Sequence, residues 1–147
     1  MKKERKFSPA SYMSMLTHFS NQSEGSRDFY DLYEYLYNSH VFDEQPTKDI
    51  IQIAYSYYQV HAGTIHFFQG LEQDLNLRLN DTVSTVDLLR VLQAFSEISN
   101  EFARLFVQLE TLFLKRFDQM TADEMTCTAC GFAISGFGSP FLFKYIE

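Results

Sequence analysis

Two thiols stand three residues apart in Cys127-Thr-Ala-Cys130, and they are the only cysteines among 147 residues. That spacing is half of a tetrahedral zinc site, or the dithiol of a redox centre. No second Cys or His pair follows to complete a zinc shell, and a redox centre wants a strand running into the helix, where this stretch reads as helix throughout. His18, His40, His61 and His66 are scattered, with only a bare i, i+5 relation between the last two. No Gly-rich phosphate loop, HExxH or GxSxG occurs. Asp123-Glu124 looks like a carboxylate pair, but it suits a helix start, where negative charge complements the macrodipole. The expectation is therefore no enzyme, no cofactor, no metal and no small-molecule substrate.

Residues 125–143 carry no charge, a run of membrane-spanning length. Three glycines, Pro140 and several Ser and Thr residues dilute it, so no transmembrane span is expected. Docking against a membrane-embedded complex stays open.

Composition narrows the class. An apolar share of 46% fits one globular domain, and 15 Phe and 9 Tyr without Trp make the interior aromatic. Two cysteines exclude a disulfide-framework secreted domain. Lys2, Lys3, Arg5 and Lys6 hold four of the 12 basic residues. Beyond residue 6, 8 basic face 18 acidic side chains, a body near −10 that repels phosphate backbones. The basic start runs into polar residues, so no secretory signal is read. With Ser8, Ser11 and Ser14 following, it is compatible with a mitochondrial presequence, although Glu4 is not typical of one.

The elements that would position any site come from a repeat. FFQGLEQDLNLRLND at 67–81 aligns without a gap on LFVQLETLFLKRFDQ at 105–119, 38 positions later. Apolar residues recur at three and four, the spacing of a helix with one buried face. The same register yields an aromatic column (Tyr30, Phe68, Phe106, Phe143) and a glutamate column (Glu34, Glu72, Glu110, Glu147). In the segment before each copy it yields a second aromatic column, Phe19, Tyr57, Phe95 and Phe132, and apolar columns led by Tyr12, Ile50, Leu88 and Met125. Gly25, Gly63 and Gly138 share one column between the two segments, with Glu101 the exception. Ser8-Pro9 and Thr121 with Glu124 three residues on are helix-start signals.

These patterns predict an all-α fold, an α-solenoid of about four helix–turn–helix repeats at 8–45, 46–83, 84–120 and 121–147, after a basic tail at 1–7. The aromatic columns read as packing knobs rather than a base-stacking ladder. The glutamate column reads as a reach to a neighbouring repeat's arginine, a helix cap or a solvated row. In the fourth repeat the second helix starts at about Ser139-Pro140 and is cut short at Glu147. Phe141, Leu142, Phe143, Tyr145 and Ile146 are thereby expected to have few intramolecular partners and, with Phe137, to form a partner-docking edge.

DLLRVLQAFSEIS at 87–99 and LETLFLKRFDQMTADEMTCTACGFAISG at 109–136 resemble the heptatricopeptide-type repeats of FAST-kinase-like and RAP-domain proteins. The 38-residue octotricopeptide repeats are similar. Leu92, Ala94 and Phe95 match the repeat's Leu-x-x-(Ala)-Phe rhythm. The resemblance implies an organellar setting, in mitochondria or plastids, in RNA metabolism or ribosomes. No RAP domain is read here, and the acidic body departs from an RNA reader. The two together lead to a non-catalytic scaffold that binds other protein subunits of a large, mitochondrial assembly such as a ribosome. The alternative is an organellar RNA binder, with Lys2, Lys3, Arg5, Lys6, Arg78, Lys115 and Arg116 as phosphate contacts.

Overall fold

The computed structural model describes residues 7–22, 25–98 and 101–147. Lys2, Lys3, Arg5 and Lys6, expected as phosphate contacts, lie outside the described residues.

Helix starts follow the repeat register. The first helices of the hairpins are α1 (Pro9–Asn21), α3 (Thr47–Gln59), α5 (Thr85–Ser96) and α7 (Ala122–Ser135). The second helices are α2 (Arg27–Asn38), α4 (Ile65–Arg78), α6 (Ala103–Leu114) and α8 (Pro140–Ile146). A 3-10 turn, Phe117–Gln119, follows α6, and among the described residues there is no strand.

Local chemistry sets these boundaries. Ser8, Ser26, Thr64, Ser84, Thr121 and Ser139 each cap the helix after them with a side-chain oxygen. Thr121 and Glu124 form the full reciprocal capping box. Gly25, Gly63 and Gly138 turn the chain between hairpin arms at φ of 108°, 95° and 98°, a region that disfavours any Cβ.

The first helices stack in chain order, α1 on α3 on α5 on α7, and α2, α4 and α6 stack beside them as a second layer. The core runs along the seam. Ile50, Ile53, Tyr57, Leu88, Val91, Phe95 and Phe132 are fully buried. Each such side chain contributes about 1.5–3 kcal/mol by leaving water, so burial between hairpins rather than within one holds the stack together. α5 and α7 pack tightly at Gly131, where a Cβ would lie 2.6 Å from Leu92 Cδ2. The protein is an all-α, two-layer stack of four helical hairpins.

Candidate protein-docking surfaces

The glutamate column joins successive hairpins. The Thr64 hydroxyl, at the N-cap of α4, donates to Glu34 Oε1 on α2. One end of the stack repeats this: the Ser139 hydroxyl donates to Glu110 Oε1, and the Ser139 N–H lies 3.3 Å from the same oxygen. Between them the link is missing. The N-cap of α6 is Phe102, which has no hydroxyl, and Glu72 instead accepts from Asn76 Nδ2 at 3.2 Å.

The arginine column is an internal brace. Arg78 Nη1 and Nη2 donate to the carbonyls of Gln45 and Asp43 at 2.5 and 2.7 Å, and Nε pairs with Asp74 at 2.6 Å. One repeat on, Arg116 Nη1 donates to the Val83 carbonyl at 2.7 Å and Nη2 to the Asp81 carbonyl at 3.4 Å. Both guanidinium groups tie the loop before a hairpin to that hairpin's far end. Lys115 pairs with Asp81 at 3.3 Å. Arg78, Lys115 and Arg116, the phosphate contacts of the alternative RNA-binding reading, are thus directed to carbonyls and carboxylates of this chain.

At the α7–α8 end the six docking-edge residues divide. Phe141 and Tyr145 are 62% and 45% exposed, while Phe143 and Ile146 are half-buried. Phe137 stacks on Phe106 with ring centroids 4.8 Å apart. Leu142 corrects the sequence reading: it is completely buried. It occupies the column of Phe29, Phe67 and Leu105, which faces the hairpin's own first helix, so it has partners even in a short arm. Tyr145 is steadied by stacking on Phe117 at 5.3 Å and by donating to Asp118 at 3.1 Å, a bond that raises its phenol pKa.

Beside that edge, α7 exposes Thr126, Cys127, Cys130, Ala133 and Ile134. Both thiols are free. Among the described residues no group of three or more His, Cys, Asp or Glu is placed to hold a metal ion. Nor, among them, is any helix long and apolar enough to cross a membrane.

The opposite end holds a feature that the sequence reading missed. Phe7, Tyr12, Met15 and Phe19 face Phe29 and Leu32 across an open apolar groove of about 190 Å³ between α1 and α2. Phe7 and Leu32 are more than half exposed there. Larger grooves that open to solvent lie elsewhere on the stack. One of about 440 Å³ lies between the first two hairpin turns and contains Arg27, Asp31, Glu34 and His61, and one of about 410 Å³ lies between α1 and α3.

No family model matches the chain, and searches of curated proteins and of solved structures return no match either.

Proposed function

We propose that the protein is a non-catalytic helical-repeat scaffold that binds other protein subunits within a larger mitochondrial assembly, such as a ribosome or another multisubunit complex. The observation that carries this reading is the α7–α8 end. Phe141 and Ile134 are exposed there, within residues 125–143, a run that carries no charge. A solvated surface is normally interrupted by charge, and exposed aromatic groups without it mark interaction sites. Such a surface also suits the apolar flank of a membrane-embedded complex. The compartment rests on the resemblance to organellar repeat proteins.

RNA binding has less behind it. The guanidinium groups of Arg78 and Arg116 are engaged with backbone carbonyls, and the body is acidic.

The test is the native size of the tagged protein from its own cells, with and without RNase, for the unaltered chain and for Phe141→Asp. A large particle that resists RNase and loses the Phe141→Asp protein is expected. Phe141 is exposed, so the variant should retain its helical circular dichroism. A free monomer under both conditions overturns the scaffold reading, and collapse on RNase treatment transfers the function to RNA.

A further inference from the structure

We propose that the groove between α1 and α2 receives one amphipathic helix of a partner protein, carrying large apolar residues at i, i+3 and i+7 and a glutamate at i+4. The inference rests on the scaffold reading and names a partner chemistry for it.

The repeat itself defines what fits. The groove is lined by Tyr12, Met15, Phe19, Phe29 and Leu32. Four of the corresponding residues of the second hairpin, Ile50, Ile53, Tyr57 and Phe67, are all completely buried. The second helix of the preceding hairpin packs over two of them, Tyr57 and Phe67, while α1 packs along α3. Tyr30 and Tyr33 of α2 pack on Tyr57 with centroids 5.4 and 6.3 Å away, and Tyr37 meets Phe67 at 5.3 Å. The contact recurs at the next two junctions, as Phe68 on Phe95 at 5.6 Å and as Phe106 and Phe113 on Phe132 at 6.1 and 6.2 Å. The covering residues fall at i, i+3 and i+7 in α2 (Tyr30, Tyr33, Tyr37), α4 (Phe68, Leu71, Leu75) and α6 (Phe106, Leu109, Phe113). Three internal examples thus specify the occupant of the fourth, open groove.

The glutamate comes from a separate observation. At i+4 of the covering helix, Glu34 and Glu110 accept from the N-cap hydroxyls of Thr64 and Ser139. Ser26 holds that position beside the open groove. Its Oγ accepts from the Phe29 N–H at 3.3 Å, which leaves its own O–H to donate to a carboxylate in the same way. Leucine at position 32 supports the idea further. The equivalent residues are Gly70, where a Cβ would lie 3.6 Å from Tyr37 Cε1, Gln108, which reaches back to the Leu79 carbonyl at 3.0 Å, and Tyr145, which donates to Asp118 at 3.1 Å. All three face the preceding hairpin, whereas Leu32 is 53% exposed.

The probe is a synthetic helix with the sequence of residues 65–80, locked by a hydrocarbon cross-link between positions 66 and 73 on its outer side, so that helix formation does not limit binding. Titrated into the purified 147-residue protein, it should bind saturably. Leu32→Asp in the protein should weaken binding by about tenfold or more, because the charge would be buried against rings. Glu72→Ala in the probe should weaken it about three- to tenfold, the range of one hydrogen bond, and should have no further effect on the Ser26→Ala protein. Because Leu32 is exposed, unchanged thermal unfolding of Leu32→Asp serves as the folding control. Absence of binding, or equal binding to Leu32→Asp, overturns the inference. So does growth of the protein's own mass with concentration that Leu32→Asp abolishes, since a second copy would then be the occupant. Failure here leaves the particle test at Phe141 untouched, and a failed particle test leaves this binding measurement standing.

Discussion

Glu110 and Ser139 lie on consecutive hairpins and meet through three contacts: the Ser139 hydroxyl donates to Oε1, and its N–H is shared between Oε1 and Oε2 at 3.3 and 3.4 Å. Glu34 and Thr64 repeat the hydroxyl contact at the other end of the stack. A residue that caps its own helix is at the same time held by the previous hairpin, so local and inter-repeat structure share one side chain. This arrangement also places a negative charge at a helix N-terminus, where the macrodipole favours it.

Removing that carboxylate should therefore loosen a junction. Glu110→Ala is expected to lower stability by about 1 kcal/mol, whereas Glu72→Ala, which lacks an N-cap hydroxyl to bind, should change it by less than about 0.5 kcal/mol. Chemical denaturation of both variants against the unaltered protein decides the matter. Equal losses would mean that the column acts through general charge and not through the cap.

Arg78 and Arg116 act as forks rather than as charges. Each guanidinium reaches two loop carbonyls 33 and 35 residues earlier in the chain. A lysine ammonium lacks the planar pair of donors needed for this. Arg78→Lys and Arg116→Lys should each cost about 1–2 kcal/mol despite conserving charge. The costs should add in the double variant, because the two braces share no residue. Retained stability in Arg78→Lys would show that only its pairing with Asp74 matters.

Much of this architecture can be read directly from residue spacing, because a helix boundary depends on nearby groups. Ser8-Pro9, the Thr121–Glu124 box and the turn glycines act within a few residues, and the helices start where they point. The aromatic columns gave the buried seam for the same reason, with Tyr57, Phe95 and Phe132 all at its centre. Partners across hairpins depend on how the stack winds, which spacing does not encode. Hence spacing leaves the glutamate column's partner at the next N-cap unspecified, and the arginine column, which by residue type suits phosphates, binds carbonyls. Leu142 differs: its column, shared with Phe29, Phe67 and Leu105, faces inward whatever the length of the arm. The groove at α1 follows from the register, which places Tyr12, Met15 and Phe19 in the columns of the buried Ile50, Ile53 and Tyr57.

Gly131 sets the spacing of α5 and α7. A Cβ there would stand 2.6 Å from both Cγ and Cδ2 of Leu92, which is itself fully buried. Helix propensity favours alanine over glycine by about 1 kcal/mol, but overpacking of this kind costs about 1–3 kcal/mol. Gly131→Ala should therefore be neutral to destabilising by about 2 kcal/mol and should not stabilise. Combined with Leu92→Ala, which vacates the space, Gly131→Ala should become stabilising. Thermal unfolding of the two single variants and the double variant tests this, and a stabilised Gly131→Ala single variant would refute the contact.

The buried tyrosines set an alkaline limit on the fold. Burial raises the phenol pKa values of Tyr33, Tyr37 and Tyr57 well above their ordinary range, and the carboxylates of Asp49, Asp74 and Glu34 respectively push in the same direction. In the unfolded chain these groups ionise near pH 10. Above that pH the native state binds more protons than the unfolded state, so stability falls as pH rises; below it the contribution is fully present. Each group removes up to about 1.4 kcal/mol per pH unit, or about 4 kcal/mol per unit for the three. Against a total of about 5–15 kcal/mol, the helices should melt within about one to four units above pH 10. Phenolate absorbance and helical circular dichroism followed together should show one cooperative step, with these three phenols ionising only as the helices melt. Tyr33→Phe gives the sharper check. Its hydroxyl donates only to the Met13 sulfur at 3.2 Å, a weak acceptor, so the variant should keep its stability at neutral pH and shift the alkaline midpoint upward. All phenols titrating near pH 10 with the helical signal unchanged would mean that these rings are not sealed in the core.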